Sequence, residues 1–79
     1  MGITVYPNPS SDLIWIKFNQ VIDHASIEIY DISGRRIQTQ EILNQSTIPI
    51  KFASSFSGTY FLHIITKDFV WNEPIIINQ

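Results

Sequence analysis

Across residues 59–66 the side chains change face at every step: Tyr60, Leu62 and Ile64 alternate with Phe61, His63 and Ile65. A repeat of two puts successive side chains on opposite faces of a strand, and a helix cannot follow it. The same alternation recurs in short β-branched and aromatic runs at residues 3–6, 13–18, 25–30, 36–42, 47–52 and 70–77, giving seven expected strands. Turn residues separate them. Gly34 in Ile32-Ser33-Gly34-Arg35 can take a positive φ, so residues 25–42 are expected to form a hairpin. Residues 53–58 and Lys67-Asp68 supply two further turns. Pro49 removes a backbone donor and marks its strand as an edge strand, and Pro74 interrupts the last one.

Short strands with regular turns and no helical period point to an all-β fold, a small immunoglobulin-like β-sandwich of about seven mainly antiparallel strands in two sheets. Its inner faces would bury Ile14, Ile16, Phe18, Ile27, Ile29, Ile37, Ile48, Ile50, Tyr60, Leu62, Ile64, Ile75 and Ile77. Seventy-nine residues suffice for one small domain, taken as residues 3–79, with Met1-Gly2 reading as an added start on a piece of a longer protein. The first residues lack the charged and apolar regions of a signal peptide. No apolar run reaches the roughly 20 residues of a membrane helix.

Composition removes several kinds of chemistry. With no cysteine there is neither a disulfide nor a thiolate, and a formal net charge of −2 gives no basic footprint for nucleic acid. His24, expected in a loop, and His63, on an outward strand face, lack metal-ligand spacing. Asp23, Asp31 and Asp68 fall in different turns, the serines cluster in turns, and none lies in a nucleophile-elbow setting. Asn44-Gln45-Ser46 fits a glycosylation sequon, a short pattern frequent by chance. No catalytic residue, cofactor or metal is expected. Trp15, Phe61, Ile65 and Trp71 fall on faces assigned to solvent, where they would bind sugar or protein, or cover rims of the core.

Four blocks in order, Tyr6-Pro7-Asn8-Pro9 with the strand after it, Tyr30-Asp31 through Gly34-Arg35 with Ile37, Gly58-Thr59-Tyr60, and a short apolar last strand, resemble the type A C-terminal sorting domain of the type IX secretion system. The likeness spans about residues 4–77. In that family the last strand usually carries lysines, where this chain has Asn72-Glu73-Pro74, and a glycine usually follows the sixth strand, where this chain has Lys67-Asp68-Phe69. The resemblance implies a non-enzymatic address on a larger cargo exported by Bacteroidetes-type bacteria. The cargo crosses the periplasm and is recognised by the outer-membrane translocon and its shuttle protein. A surface sortase-like cysteine peptidase then commonly removes the domain and attaches the cargo to anionic lipopolysaccharide.

Within that frame Pro7, Asn8, Pro9, Tyr30, Asp31, Gly34, Arg35, Gly58 and Tyr60 are expected to be mainly structural. The prolines stop the first strand and make a corner between sheets. Ile75, Ile76, Ile77, Asn78 and Gln79, with Trp15 and Phe61, are the expected recognition surface. An apolar terminal strand can add to another sheet, which also suggests a homodimer through it. Two other readings compete. A carbohydrate-binding or adhesin-like module requires Trp15, Phe61 and Trp71 on one platform. An immunoglobulin-like spacer requires more chain after Gln79.

Overall fold

A computed structural model describes residues 2–53 and 56–78; Met1, Ser54, Ser55 and Gln79 lie outside the described residues. It is all-β: β1 (Ile3–Tyr6), β2 (Leu13–Tyr30), β3 (Arg36–Lys51), β4 (Gly58–Ile65) and β5 (Val70–Ile77). The seven expected runs are therefore five strands. Runs 13–18 and 25–30 merge into β2, and runs 36–42 and 47–52 merge into β3. The residues between them, 19–24 and 43–46, contain neither proline nor glycine to break the strand. His24 accordingly sits within β2, not in a loop.

All strand pairs are antiparallel. The order is β1-β2-β4-β5, with β3 also along β2. Residues 13–18 of β2 run between β1 and the second half of β3; residues 26–30 run between the first half of β3 and β4. At about 3.3 Å per residue, the 18 residues of β2 would reach about 60 Å if straight, yet the longest dimension of the molecule is 31 Å. The sheet must curl. The register breaks between Lys17 and Ile22, and just beyond it, between Ile22 and Ala25, the buried set changes from Ile14, Ile16, Phe18 and Ile22 to Ala25, Ile27 and Ile29. A bulge makes such a change of face possible. Opposite it, Asn44 has φ 52°, a left-handed conformation that asparagine tolerates better than β-branched residues. The Gln38 Nε2 donates across the curl to the carbonyl of Lys51 at 3.2 Å.

One core results. It contains Ile14, Ile16, Phe18, Ile22, Ala25, Ile27, Ile29, Ile42, Ile48, Ile50, Phe52, Leu62, Ile64, Ile75 and Ile77. Ile37 and Tyr60, expected fully inside, are only partly buried. Ile37 lies where the register shifts at the end of the hairpin. Tyr60 closes one end of the core in a cluster with Phe52 and Phe56, ring centroids 5.5 Å from Phe56 and 6.2 Å from Phe52. Among the described residues β3 pairs only with β2, so Pro49 does lie on an edge strand.

Candidate recognition surface

β5 is the element on which the functional reading turns. Its full length pairs with β4, from Val70 against Ile65 to Ile77 against Gly58. Alternation puts Ile75 and Ile77 in the core, both 0% exposed, and leaves Ile76 outward at 42%. Of the five terminal residues expected to be read, two are thus core residues, Ile76 and Asn78 are exposed, and Gln79 lies outside the described residues.

The expectation that the edge of this strand stands open is corrected at residues 74–78. In an antiparallel ladder every second residue turns its N–H and C=O away from its partner. Here those residues are Pro74, Ile76 and Asn78, and four of their outward groups are taken. Asn8 Nδ2 donates to the Pro74 carbonyl at 3.2 Å, and Ile76 N–H donates to Asn8 Oδ1 at 3.0 Å. Ser10 N–H donates to the Ile76 carbonyl at 2.9 Å, and Asn78 N–H donates to the Ser10 carbonyl at 2.8 Å. Pro74 has no N–H to lose on this side, which explains a proline in the last strand. Ser10 and Ile77 form a parallel bridge, and Asn8 extends it by one rung with its side-chain amide.

The Pro-Asn-Pro block is built for this. Pro7 and Pro9 offer no backbone donor, and the donor to the Pro74 carbonyl is the Asn8 side-chain amide. Both Tyr6-Pro7 and Asn8-Pro9 peptide bonds are cis. Ser10 is 6% exposed, and its hydroxyl donates to the Leu13 carbonyl; Phe52 N–H donates to the Asp12 carbonyl at 2.7 Å. The block follows the end of β1 at Tyr6, and it covers the last strand.

The outward aromatics separate. Trp15 is half-buried between Tyr6 on β1 and Pro49 on β3. Phe61 lies between Tyr30 on β2 and Pro74 on β5, on the same outward face as Ile65 and Ile76, and is 39% exposed. Trp71 contradicts its expected solvent face. It pairs with the buried Ile64, packs against the core, and donates from Nε1 to Glu73 Oε1 at 3.1 Å. The sequence held the signal: Trp71 shares odd parity with Ile75 and Ile77, so the strand's own alternation turns it inward.

The second motif is a turn device. Asp31 Oδ1 accepts the Ser33 N–H at 3.0 Å, the Ser33 hydroxyl at 2.6 Å and the Arg35 N–H at 3.0 Å. Arg35 Nε stands 3.3 Å from Asp31 Oδ2, and Gly34 takes φ 88°. The Ser33 hydroxyl first, then the Arg35 amide, hold the Asp31 carboxyl below its ordinary range. Its contribution to stability is therefore present above the unfolded value, about 3.9, and is lost as pH falls through the lower folded value. Asp31→Asn should lower the unfolding midpoint at neutral pH and flatten its fall in acid, which thermal melts at several pH values would record.

Beside this turn the Tyr30 hydroxyl donates to Glu28 Oε1 at 2.7 Å, Arg36 Nη1 lies 3.2 Å from Glu28 Oε2, and the His63 ring lies 4.7 Å from that of Tyr30. The Glu28 hydrogen bond, ahead of burial, raises the Tyr30 phenol above its ordinary value. In the third motif Gly58 takes φ 114°, and the Tyr60 hydroxyl donates to the Ser57 carbonyl at 3.2 Å. His24 Nε2 lies 2.7 Å from Glu41 Oε1, far from His63 in the ladder. The Ser26 hydroxyl, then His24, lower the Glu41 carboxyl.

Among the described residues no three of His, Cys, Asp and Glu group as metal ligands, and no helix is long and apolar enough to cross a membrane. An open cleft of about 360 Å³ is lined by residues 20–24 and 66–69. It holds Asp23, His24 and Asp68 without bringing them into a ligand set.

No curated protein matches the chain. A profile of the family described as the secretion system C-terminal sorting domain matches residues 4–78, nearly the whole chain and every motif described above. The chain therefore belongs to that family, the C-terminal sorting signal of type IX secretion cargo.

Proposed function

We propose that the folded sheet is itself the address, and that it is read through side chains on the outward face of β4 and β5, Phe61 and Ile76 foremost, with Trp15 as a separate contact. As a sorting domain it serves a larger cargo, engages the type IX machinery, and directs export across the outer membrane to the cell surface or beyond. The observation supporting the finer reading is the closure of the β5 edge by Asn8 and Ser10. With those backbone groups occupied, side chains are what the terminal strand offers a partner. Its remaining outward backbone groups are at Val70 and Asn72.

The domain acts as an address without catalysis of its own. The translocon and shuttle protein are its partners in transit, and a sortase-like peptidase is the enzyme that removes it at the surface. The curl also supports a two-layer sandwich. The Gln38–Lys51 bond joins the two halves of β3, and the first segment leaves β1, paired to β2, to reach β5. A sugar platform has less support, because Trp15, Phe61 and Trp71 occupy three separate places.

The test is export of a reporter fused ahead of the domain in a type IX-competent bacterium. Phe61→Ser with Ile76→Ser should leave the melting profile close to that of the parent and strand the reporter in the periplasm. Normal export of a folded double variant would defeat the reading.

A further inference from the structure

We propose that the edge of β5 at residues 74–78 is a latent strand-addition site for a second copy of this chain, held shut by the Asn8 side chain together with the Ser10 backbone. Buried or paired backbone groups must be accounted for one by one. The outward groups from Pro74 to the Asn78 N–H are the Pro74 carbonyl, both groups of Ile76 and the Asn78 N–H. All four are satisfied within the chain, two of them by one side chain. Asn8 reproduces what a backbone residue of a parallel neighbour would do: it donates to residue 74 and accepts from residue 76, on either side of Ile75.

A second copy fits the same edge once residues 8–10 swing away from it, which frees the Ile76 carbonyl and the Asn78 N–H from Ser10 as well as the two groups held by Asn8. An antiparallel pair of β5 strands on a two-fold axis through Ile76 would let the two Ile76 residues exchange both bonds. Each Asn78 N–H would meet the partner's Pro74 carbonyl. Only the bonds that would need a Pro74 N–H are missing. The exposed Ile76 side chains, with Phe61 nearby on the same face, would meet across the axis. Opposed apolar side chains on paired strands add to such an association. The intramolecular arrangement makes four bonds in each chain, where the dimer would make four between two chains, so the closed, monomeric form is favoured while Asn8 is present.

The experiment uses the full chain and its Asn8→Ala variant. In the parent, the Ile76 and Asn78 amides should be protected from hydrogen exchange and sedimentation should show a monomer. In Asn8→Ala the Ile76 amide should exchange about tenfold faster, the equivalent of one net hydrogen bond. A concentration-dependent dimer should appear across the micromolar to millimolar range. Adding Ile76→Pro, at a position that faces away from β4 like Pro74, should abolish the dimer. Should Asn8→Ala not fold, Asn8→Asp retains the acceptor for Ile76 and loses the donor to Pro74, and it should show a weaker dimer with the Ile76 amide still protected in the monomer. A folded Asn8 variant that stays monomeric, or a dimer that survives Ile76→Pro, overturns the proposal.

Discussion

Removing residues 75–78 should unfold the domain outright. Ile75 and Ile77 are both 0% exposed, and Ile76 and Asn78 carry three of the four bonds that fasten the Pro-Asn-Pro corner. Losing a fully buried isoleucine side chain costs about 2–5 kcal/mol, against a total of about 5–15 kcal/mol for an ordinary domain. Two such losses, with the corner released, consume most or all of that stability. Circular dichroism and amide exchange of the truncated chain should show loss of the cooperative transition. A truncation that blocked export would therefore report a lost fold, not a lost contact. Ile76→Ser separates the two, because it alters the one exposed isoleucine of the three and leaves both core residues in place. A truncated chain that still melted cooperatively near the parent's temperature would contradict the placement of Ile75 and Ile77.

The second large effect is expected from Ile64→Ala. Ile64 lies mid-strand in β4, fully buried, with Ile27 and Trp71 as its ladder neighbours. The cavity should cost about 2–5 kcal/mol, which in a domain of this size lowers the melting temperature on the order of 10 to 30 °C. Phe61→Ala, one residue away but on the outward face, should change the melting temperature by a few degrees at most. The contrast between neighbours tests the alternation directly. Equal losses at both positions would mean that β4 does not present one face to the core.

What could be read from the sequence followed from local alternation. The period of two in residues 59–66 placed Leu62 and Ile64 inside and Phe61 and Ile65 outside, as the structure has them. Asp31 and Gly34 were legible as a turn because their chemistry acts within four residues. Strand continuity was not. Residues 19–24 lack clean alternation because the bulge changes the inward face there, and a break in pattern resembles a break in the strand. The role of Asn8 was hidden for a different reason. Its partners lie 66 and 68 residues away, and no local rule connects a proline-flanked asparagine to the last strand. Trp71 was legible in principle: the parity of Ile75 and Ile77 already turned it inward, and the proline between them obscured the continuity.

These placements alter what the family motifs are for. Pro7-Asn8-Pro9 closes the edge of β5, Asp31 and Gly34 close the β2–β3 hairpin, and Gly58 with Tyr60 opens β4 and covers one end of the core. Each holds the fold together, and the side chains left for a partner lie elsewhere, on the outward faces.

The central claim is that the type IX address is the folded sheet. It is tested most directly by export of one reporter fused ahead of residues 3–79, comparing the parent domain with Ile64→Ala in the same type IX-competent host. The parent should deliver the reporter to the cell surface or the medium, and Ile64→Ala, tested above its lowered melting temperature, should leave it in the periplasm. Equal delivery by a demonstrably unfolded Ile64→Ala domain would contradict the account.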